Sequence, residues 1–240
     1  YHGHSLTLTI GSLGFQMIAD ANAKAGHHIV KKRKRSWKYE TIHNRPDLDT
    51  ILRESLIGGC VRVLIDKEIK EPTFGIDARA LYPSVEFKND RWPDFTKLKA
   101  VKTSKGYCLD WVIEKEGGVH VEWIKPKSDK LGCVASRCPK TGNLIWTNES
   151  GVRWLNMADA RFLLNRGYIL KPVPYVYERS IVREDENGLA VDGGTVAVSI
   201  FAIVCPRLKF NPFDEVKRWF DKRTEYKNNK DPRQLLIKLL

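Results

Sequence analysis

The chain has 240 residues, enough for one large domain or two small ones with a sizeable core. A net charge of +12 beside 42% hydrophobic residues favours an anionic partner, nucleic acid before a membrane surface, and no apolar run is long enough to span a bilayer. Five cysteines, an odd number without a dense framework, suit reduced thiols better than a disulfide scaffold, and the first residues form neither an initiator Met nor a signal peptide. A basic globular protein with no nucleic-acid partner is the plainer alternative.

Residues 5–30 carry Leu6, Leu8, Ile10, Leu13, Phe15, Met17 and Ile18, alternating at first and then compatible with a helix. The run Lys31-Lys32-Arg33-Lys34-Arg35 follows, with Trp37 and Tyr39 behind it. Consecutive cations cannot face a core, so the run is a solvated loop, a localisation signal or a phosphate contact with nearby rings to stack on bases. Pro46 to Ser55 predicts a short helix with Leu48, Ile51 and Leu52 on one side. Gly58 and Gly59 then open an alternating β-run, where glycine permits unusual φ or close backbone approach.

Thr73-Phe74-Gly75-Ile76 is a short β-prone run that carries Asp77 to its end, and Pro83 closes the segment Asp77-Ala78-Arg79-Ala80-Leu81-Tyr82-Pro83-Ser84. A carboxylate where a strand gives way to a turn can hold a hard cation such as Mg²⁺. The N–H groups of the turn point where a phosphate could sit, beside the rigid ring of Tyr82. Taken alone, such a segment is most often a strand leaving a core.

From 86 to 205 the pattern is mostly short strands and turns. Tyr107 to Ile113 and Val119 to Ile124 read as a hairpin turning at Glu116-Gly117-Gly118. Cys133 and Cys138 are a close pair without a second pair at ligand spacing, so zinc is not expected. Met157 to Arg166 predicts a helix stopped by Gly167, and prolines in the strand-like run Tyr168 to Ile181 suggest a sheet edge. Asn211-Pro212 opens a helix with Asp214 and Glu215 in its first turn, and Asp231-Pro232 opens another that runs to Leu240 without a stop signal.

The segment at Asp77 resembles motif A of the family B DNA polymerases, D-x-x-S-L-Y-P, with Ala80 at the serine. Gly58-Gly59 resembles the Y-x-G-G element just upstream of that motif in the protein-primed members, with Leu56 where the tyrosine stands. Lys238-Leu239-Leu240 is similar to the start of motif B, whose lysine meets the triphosphate. The order of the pieces is also the family's order.

The resemblance implies an α+β fold: an incomplete family B palm with a β-rich insertion and C-terminal helices. Residues 1–55 would be a linker and helical segment, 56–90 the palm strands, 91–205 an insertion touching a terminal protein and DNA, and 206–240 the first helices of the fingers. Asp77 and the Ala78 carbonyl would hold two Mg²⁺ ions together with residues outside this chain. Leu81 and Tyr82 amides, Lys227 and Lys238 would meet the nucleotide, and the Tyr82 ring would exclude a 2′-hydroxyl. Gly58, Gly59 and the cations Lys31, Lys32, Arg33, Lys34 and Arg35 would meet DNA.

The implied activity is deoxynucleotide addition to a primer–template by two-metal nucleotidyl transfer, from deoxynucleoside triphosphates, in protein-primed replication and without a membrane partner. Motif C, the exonuclease carboxylates and the thumb are not in the sequence, so a fragment that is inactive by itself is expected. A non-catalytic nucleic-acid-binding module derived from a palm, or a basic RNA-binding domain with aromatics on one sheet face, would carry the same charge.

Overall fold

The computed structural model describes residues 10–27, 30–32, 39–41, 44–56, 88–103, 109–129, 132–138, 140–146, 149–184 and 190–235. The chain divides into two compact units, the first formed by Tyr1–Ile42, Gly59–Trp92 and Leu208–Leu240, the second by His43–Gly58 and Pro93–Arg207. Among the described residues no helix is long and apolar enough to cross a membrane.

In the first unit, helix α1 (Ile10–Lys24) is followed by the antiparallel strands β1 (Val30–Lys32) and β2 (Tyr39–Thr41). α1 ends in a Schellman motif: Gly26 has φ +82, its N–H donates to the Ala23 carbonyl, and the N–H of His27 donates to the Asn22 carbonyl. Glycine adopts this left-handed conformation without the penalty a Cβ would bring. A later helix, Asp214–Asn228, begins after Asn211, whose Oδ1 accepts from the Phe213 N–H at 2.8 Å. Asp214 and Glu215 in its first turn complement the positive end of the helix dipole.

The second unit is built on a mixed arrangement of helices around one antiparallel sheet. Its strands are β3 (Lys99–Lys102), β4 (Glu116–Ile124), β7 (Ser150–Asn156), β8 (Ile169–Pro172), β9 (Tyr175–Glu184) and β10 (Ala190–Cys205). A separate pair, β5 (Ser136–Arg137) and β6 (Leu144–Ile145), lies between β4 and β7 in sequence. The sheet order is β3-β10-β4-β7. β8 follows the edge of β4 opposite Val121 to Ile124, and after Pro174 the chain continues as β9 along β10. The strand-like run expected from Tyr168 to Ile181 is split at its prolines into β8, which ends at Pro172, and β9, which pairs only with β10 among the described strands.

Both faces of the central strands are covered. Helix α2 (Pro46–Arg53) buries Leu48, Ile51 and Leu52 against Leu98, Trp154, Ile200, Ile203 and Cys205. On the other face, helix α3 (Met157–Asn165) lays Met157, Ala160 and Leu163 against Val119, Val121, Trp123 and Leu155. Neighbouring residues Trp154 and Leu155 serve opposite clusters, as strand alternation requires. Each fully buried aliphatic side chain contributes about 1.5–3 kcal/mol. The helix Asp214–Asn228 of the first unit is α4 in chain order.

The helix expected from Pro46 is present, and so is the stop at Gly167. That glycine has φ +81, and the bonds Gly167 N–H to Leu164 O and Tyr168 N–H to Leu163 O complete a second Schellman motif. The hairpin expected over 107–125 is corrected: residues 109–115 form turns, and Gly117 and Gly118 lie inside β4. These glycines serve close packing and not a turn. A Cβ on Gly118 would meet Leu52 Cδ2 at 2.7 Å, and one on Gly117 would meet the Ile203 carbonyl oxygen.

Polar groups knit this unit at three places, the first two of them around a buried carboxylate. Glu116, at the start of β4, pairs with Arg161 of α3 at 3.2 Å and with Arg207 at 3.1 Å. Asp129 accepts from the Tyr168 hydroxyl at 2.7 Å, and that hydroxyl accepts from the Cys133 N–H at 2.8 Å. Tyr177 and Tyr175 of β9 reach the two ends of α2: Arg45 Nη2 donates to the Tyr177 hydroxyl at 3.1 Å, and Tyr175 donates to Glu54 Oε1 at 3.1 Å.

Candidate nucleotide and nucleic-acid site

The residues singled out from the sequence fall mostly outside the described part of the chain. Gly58, Gly59, Asp77, Ala78, Leu81, Tyr82, Arg33, Lys34, Arg35 and Lys238 all lie there. Lys31 and Lys32 are in β1, where their backbones pair with Glu40 and Tyr39. Lys227 is exposed in the last turn of α4. Among the described residues no group of three His, Cys, Asp or Glu is placed to hold a metal.

What is described is the frame on either side of these positions. Residues 88–92, just downstream of the Asp77 segment, meet the residues that lead into α4. The Leu208 N–H donates to the Trp92 carbonyl at 2.7 Å, Asn211 Nδ2 donates to the Asn89 carbonyl at 3.3 Å, and the rings of Trp92 and Phe213 lie 4.6 Å apart. The base of α4 is therefore fixed to the stretch that follows Asp77, although most of the second unit intervenes in sequence.

α1 braces the same place. Asn22 is buried, and its Nδ2 donates both to the Ile18 carbonyl and to the Pro212 carbonyl, each at 2.9 Å. The His27 and Phe210 rings stack at 3.6 Å. A helix start held by a ring stack and a buried side-chain bond is a stiff support for side chains farther along α4.

Along α4 the charge is mixed but cation-rich. Lys217, Arg218, Lys222, Arg223 and Lys227 alternate with Asp221 and Glu225. Some of these cations are engaged locally: Arg218 meets Glu215 at 3.5 Å, and Lys222 lies over the Tyr226 ring at 5.8 Å. Arg233 covers the same ring at 4.5 Å and bonds Asp231, which holds that carboxyl below its usual range. Arg223 is different, since its Nε is buried and has no hydrogen-bond partner among the described residues. It stands four residues before Lys227 and so shares its side of the helix. The sequence reading missed Arg223, and the signal that would have found it is this spacing.

Chemically, a helix with neighbouring cations rising from a braced base can neutralise phosphate charge, because fixed cations need no reorganisation when charge develops. The model of the organellar and viral type B DNA polymerases matches residues 7–184, which takes in α1, the Asp77 segment and the second unit as far as the end of β9. No curated protein and no solved structure matches the chain.

Proposed function

This chain belongs to the organellar and viral type B DNA polymerases, and on that premise we propose that it supplies the palm, an insertion and the opening fingers helices of a protein-primed replicative enzyme. The observation that carries the reading is the family match itself, which spans the Asp77-Ala78-Arg79-Ala80-Leu81-Tyr82-Pro83-Ser84 segment. The bonds from residues 88–92 to the base of α4 support it, because a nucleotide site needs those two parts of the chain to converge.

In this reading Asp77 and the Ala78 carbonyl hold divalent cations, with Mg²⁺ the fitting ion for a hard oxygen donor set. Bound cations supply charge stabilisation at the attacking and leaving oxygens. The chain's own groups position the reactants. Leu81 and Tyr82 amides receive the triphosphate, Lys227 and Lys238 approach it from the helical side, and the Tyr82 ring occupies the space a 2′-hydroxyl would need. Arg223 joins Lys227 as a phosphate or template contact. Gly58 and Gly59 let a DNA strand approach the backbone, and the cations at 31–35 take phosphates along its path.

The second unit is then an insertion between palm and fingers that holds a terminal protein and DNA. Positioning and charge neutralisation account for most of phosphoryl-transfer catalysis, so no covalent nucleophile on the enzyme is required. The test is primer extension by the polymerase that contains this chain, with Asp77→Asn. Mg²⁺-dependent extension should fall to background while primer–template binding is kept. Extension at the parental rate would overturn the assignment and leave a nucleic-acid-binding module.

A further inference from the structure

A third Schellman motif closes α4, and its left-handed residue is not a glycine. The Lys230 N–H donates to the Lys227 carbonyl at 3.2 Å, and the Asp231 N–H donates to the Tyr226 carbonyl at 2.8 Å. In the motifs that end α1 and α3 this place belongs to Gly26 and Gly167; here it belongs to Lys230, with φ +54. Among the described residues Lys230 is the one non-glycine with a positive φ. Asparagine tolerates that backbone better than lysine, yet Asn228 and Asn229 fall just short of it. A strained backbone of this kind persists where its surroundings hold it, and gathers at functional sites.

Lys230 joins a corner of cations around one aromatic ring. The Arg233 guanidinium carbon lies 4.5 Å from the centre of the Tyr226 ring, and Lys222 Nζ lies 5.8 Å from it. Asp231 holds Arg233 from the side, accepting from its Nε at 2.8 Å and from its Nη2. The Arg233 side chain is still 64% exposed, so it caps the ring and keeps surface of its own for a further planar group. Lys222, Lys227 and Lys230 are exposed as well.

Charge is spread unevenly along this stretch. From Asp214 to Asp221 two cations stand against three carboxylates; from Lys222 to Arg233 five stand against two. A cation in the last turn complements the helix dipole, and Lys227 fills that role. With that role filled, a strained lysine in the place of a glycine calls for another partner.

We propose that this corner binds an unpaired stretch of nucleic acid, with a backbone phosphate on Lys230 and the neighbouring base on the Tyr226–Arg233 pair. Unpaired bases stack on aromatic rings and guanidinium planes, whereas a duplex keeps its bases in its own stack. A lysine on an exposed turn reaches a phosphate without any base contact. The inference rests on the reading that α4 faces nucleic acid, and narrows the partner from any phosphate chain to a single strand. Every residue of the corner belongs to the first unit.

The test titrates the full chain with labelled oligothymidylate, an abasic strand of equal length and a duplex, following anisotropy at several salt concentrations. Lys230→Gly should raise the melting temperature, because glycine carries no left-handed penalty. It should also weaken oligothymidylate binding several-fold and flatten the log–log salt slope by about 0.7. Lys230→Arg keeps the charge and should bind like the parent. Arg233→Lys keeps the charge and loses the plane. It should weaken oligothymidylate about tenfold and leave the abasic strand and the duplex unchanged.

Oligothymidylate binding by Lys230→Gly at the parental strength and slope would overturn the proposal. So would an equal loss on the thymidylate and abasic strands in Arg233→Lys. Parental primer extension by Asp77→Asn beside an intact Lys230 effect would remove the polymerase reading and keep the corner. The reverse pair of results would remove the corner alone.

Discussion

Asn22 Nδ2 and the carbonyl oxygen of Pro212 form a buried hydrogen bond of 2.9 Å across 190 residues of sequence. It ties α1 to the residues that open α4. Asn22→Ala leaves the Pro212 carbonyl buried and unpaired, at a cost of about 1–3 kcal/mol. The expected outcome is a lower melting temperature, with earlier proteolysis around α4 than in the second unit. A variant that melts and is cleaved like the parent would show that the bond is dispensable.

Tyr168→Phe tests the polar cluster under α3. The Tyr168 hydroxyl bond is the main cause that holds the Asp129 carboxyl below its ordinary range, and burial together with that carboxylate pushes the tyrosine up. A carboxyl depressed in the folded state adds stability above its unfolded pKa of about 3.9, and loses it as pH falls through the folded value. Parent and variant should therefore differ at neutral pH by about 1–3 kcal/mol for the lost bonds to Asp129 and Cys133, and differ less below pH ~4. Denaturant melts between neutral and acid pH check this, and a gap that widens in acid would contradict the cluster's role.

Binding to duplex DNA should show little sequence preference and fall steeply with salt, by a log–log slope of about −0.7 to −0.9 for each phosphate neutralised. Replacing Lys31, Lys32, Arg33, Lys34 and Arg35 with alanine should flatten the slope by several units. The melting temperature should stay where it was. A salt titration by fluorescence anisotropy with an unchanged slope would remove the run from the DNA path.

Local chemistry made several elements legible in the sequence. Leu48, Ile51 and Leu52 mark α2 by spacing, Gly167 marks the end of α3 by its left-handed backbone, and Asp214 and Glu215 mark the start of α4. The mixed helix-and-sheet class followed from the same signals, and the family from the Asp77 segment. Gly117 and Gly118 misled, because a glycine pair between β-prone runs looks the same whether it turns the chain or clears room for Leu52. The pairing of β4 with β7, β8 and β10 was equally hidden, since every one of those partners is distant in sequence. Arg223 was passed over because its four-residue spacing to Lys227 is common on a charged helix, and its buried Nε shows only in the folded chain.

α2 completes the second unit, yet it precedes that unit's sheet in the chain by the whole Gly59–Trp92 segment of the first. During synthesis it leaves the ribosome with Leu48, Ile51 and Leu52 uncovered and waits until Ile200, Ile203 and Cys205 have been made. By then the stretch that bears Asp77 has already emerged. Such non-local closure is slow and leaves apolar surface exposed to aggregation. A shortened gene that drops Pro93–Arg207 would strand α2 in that state for good. Excising the second unit cleanly therefore means removing two pieces of the gene, not one.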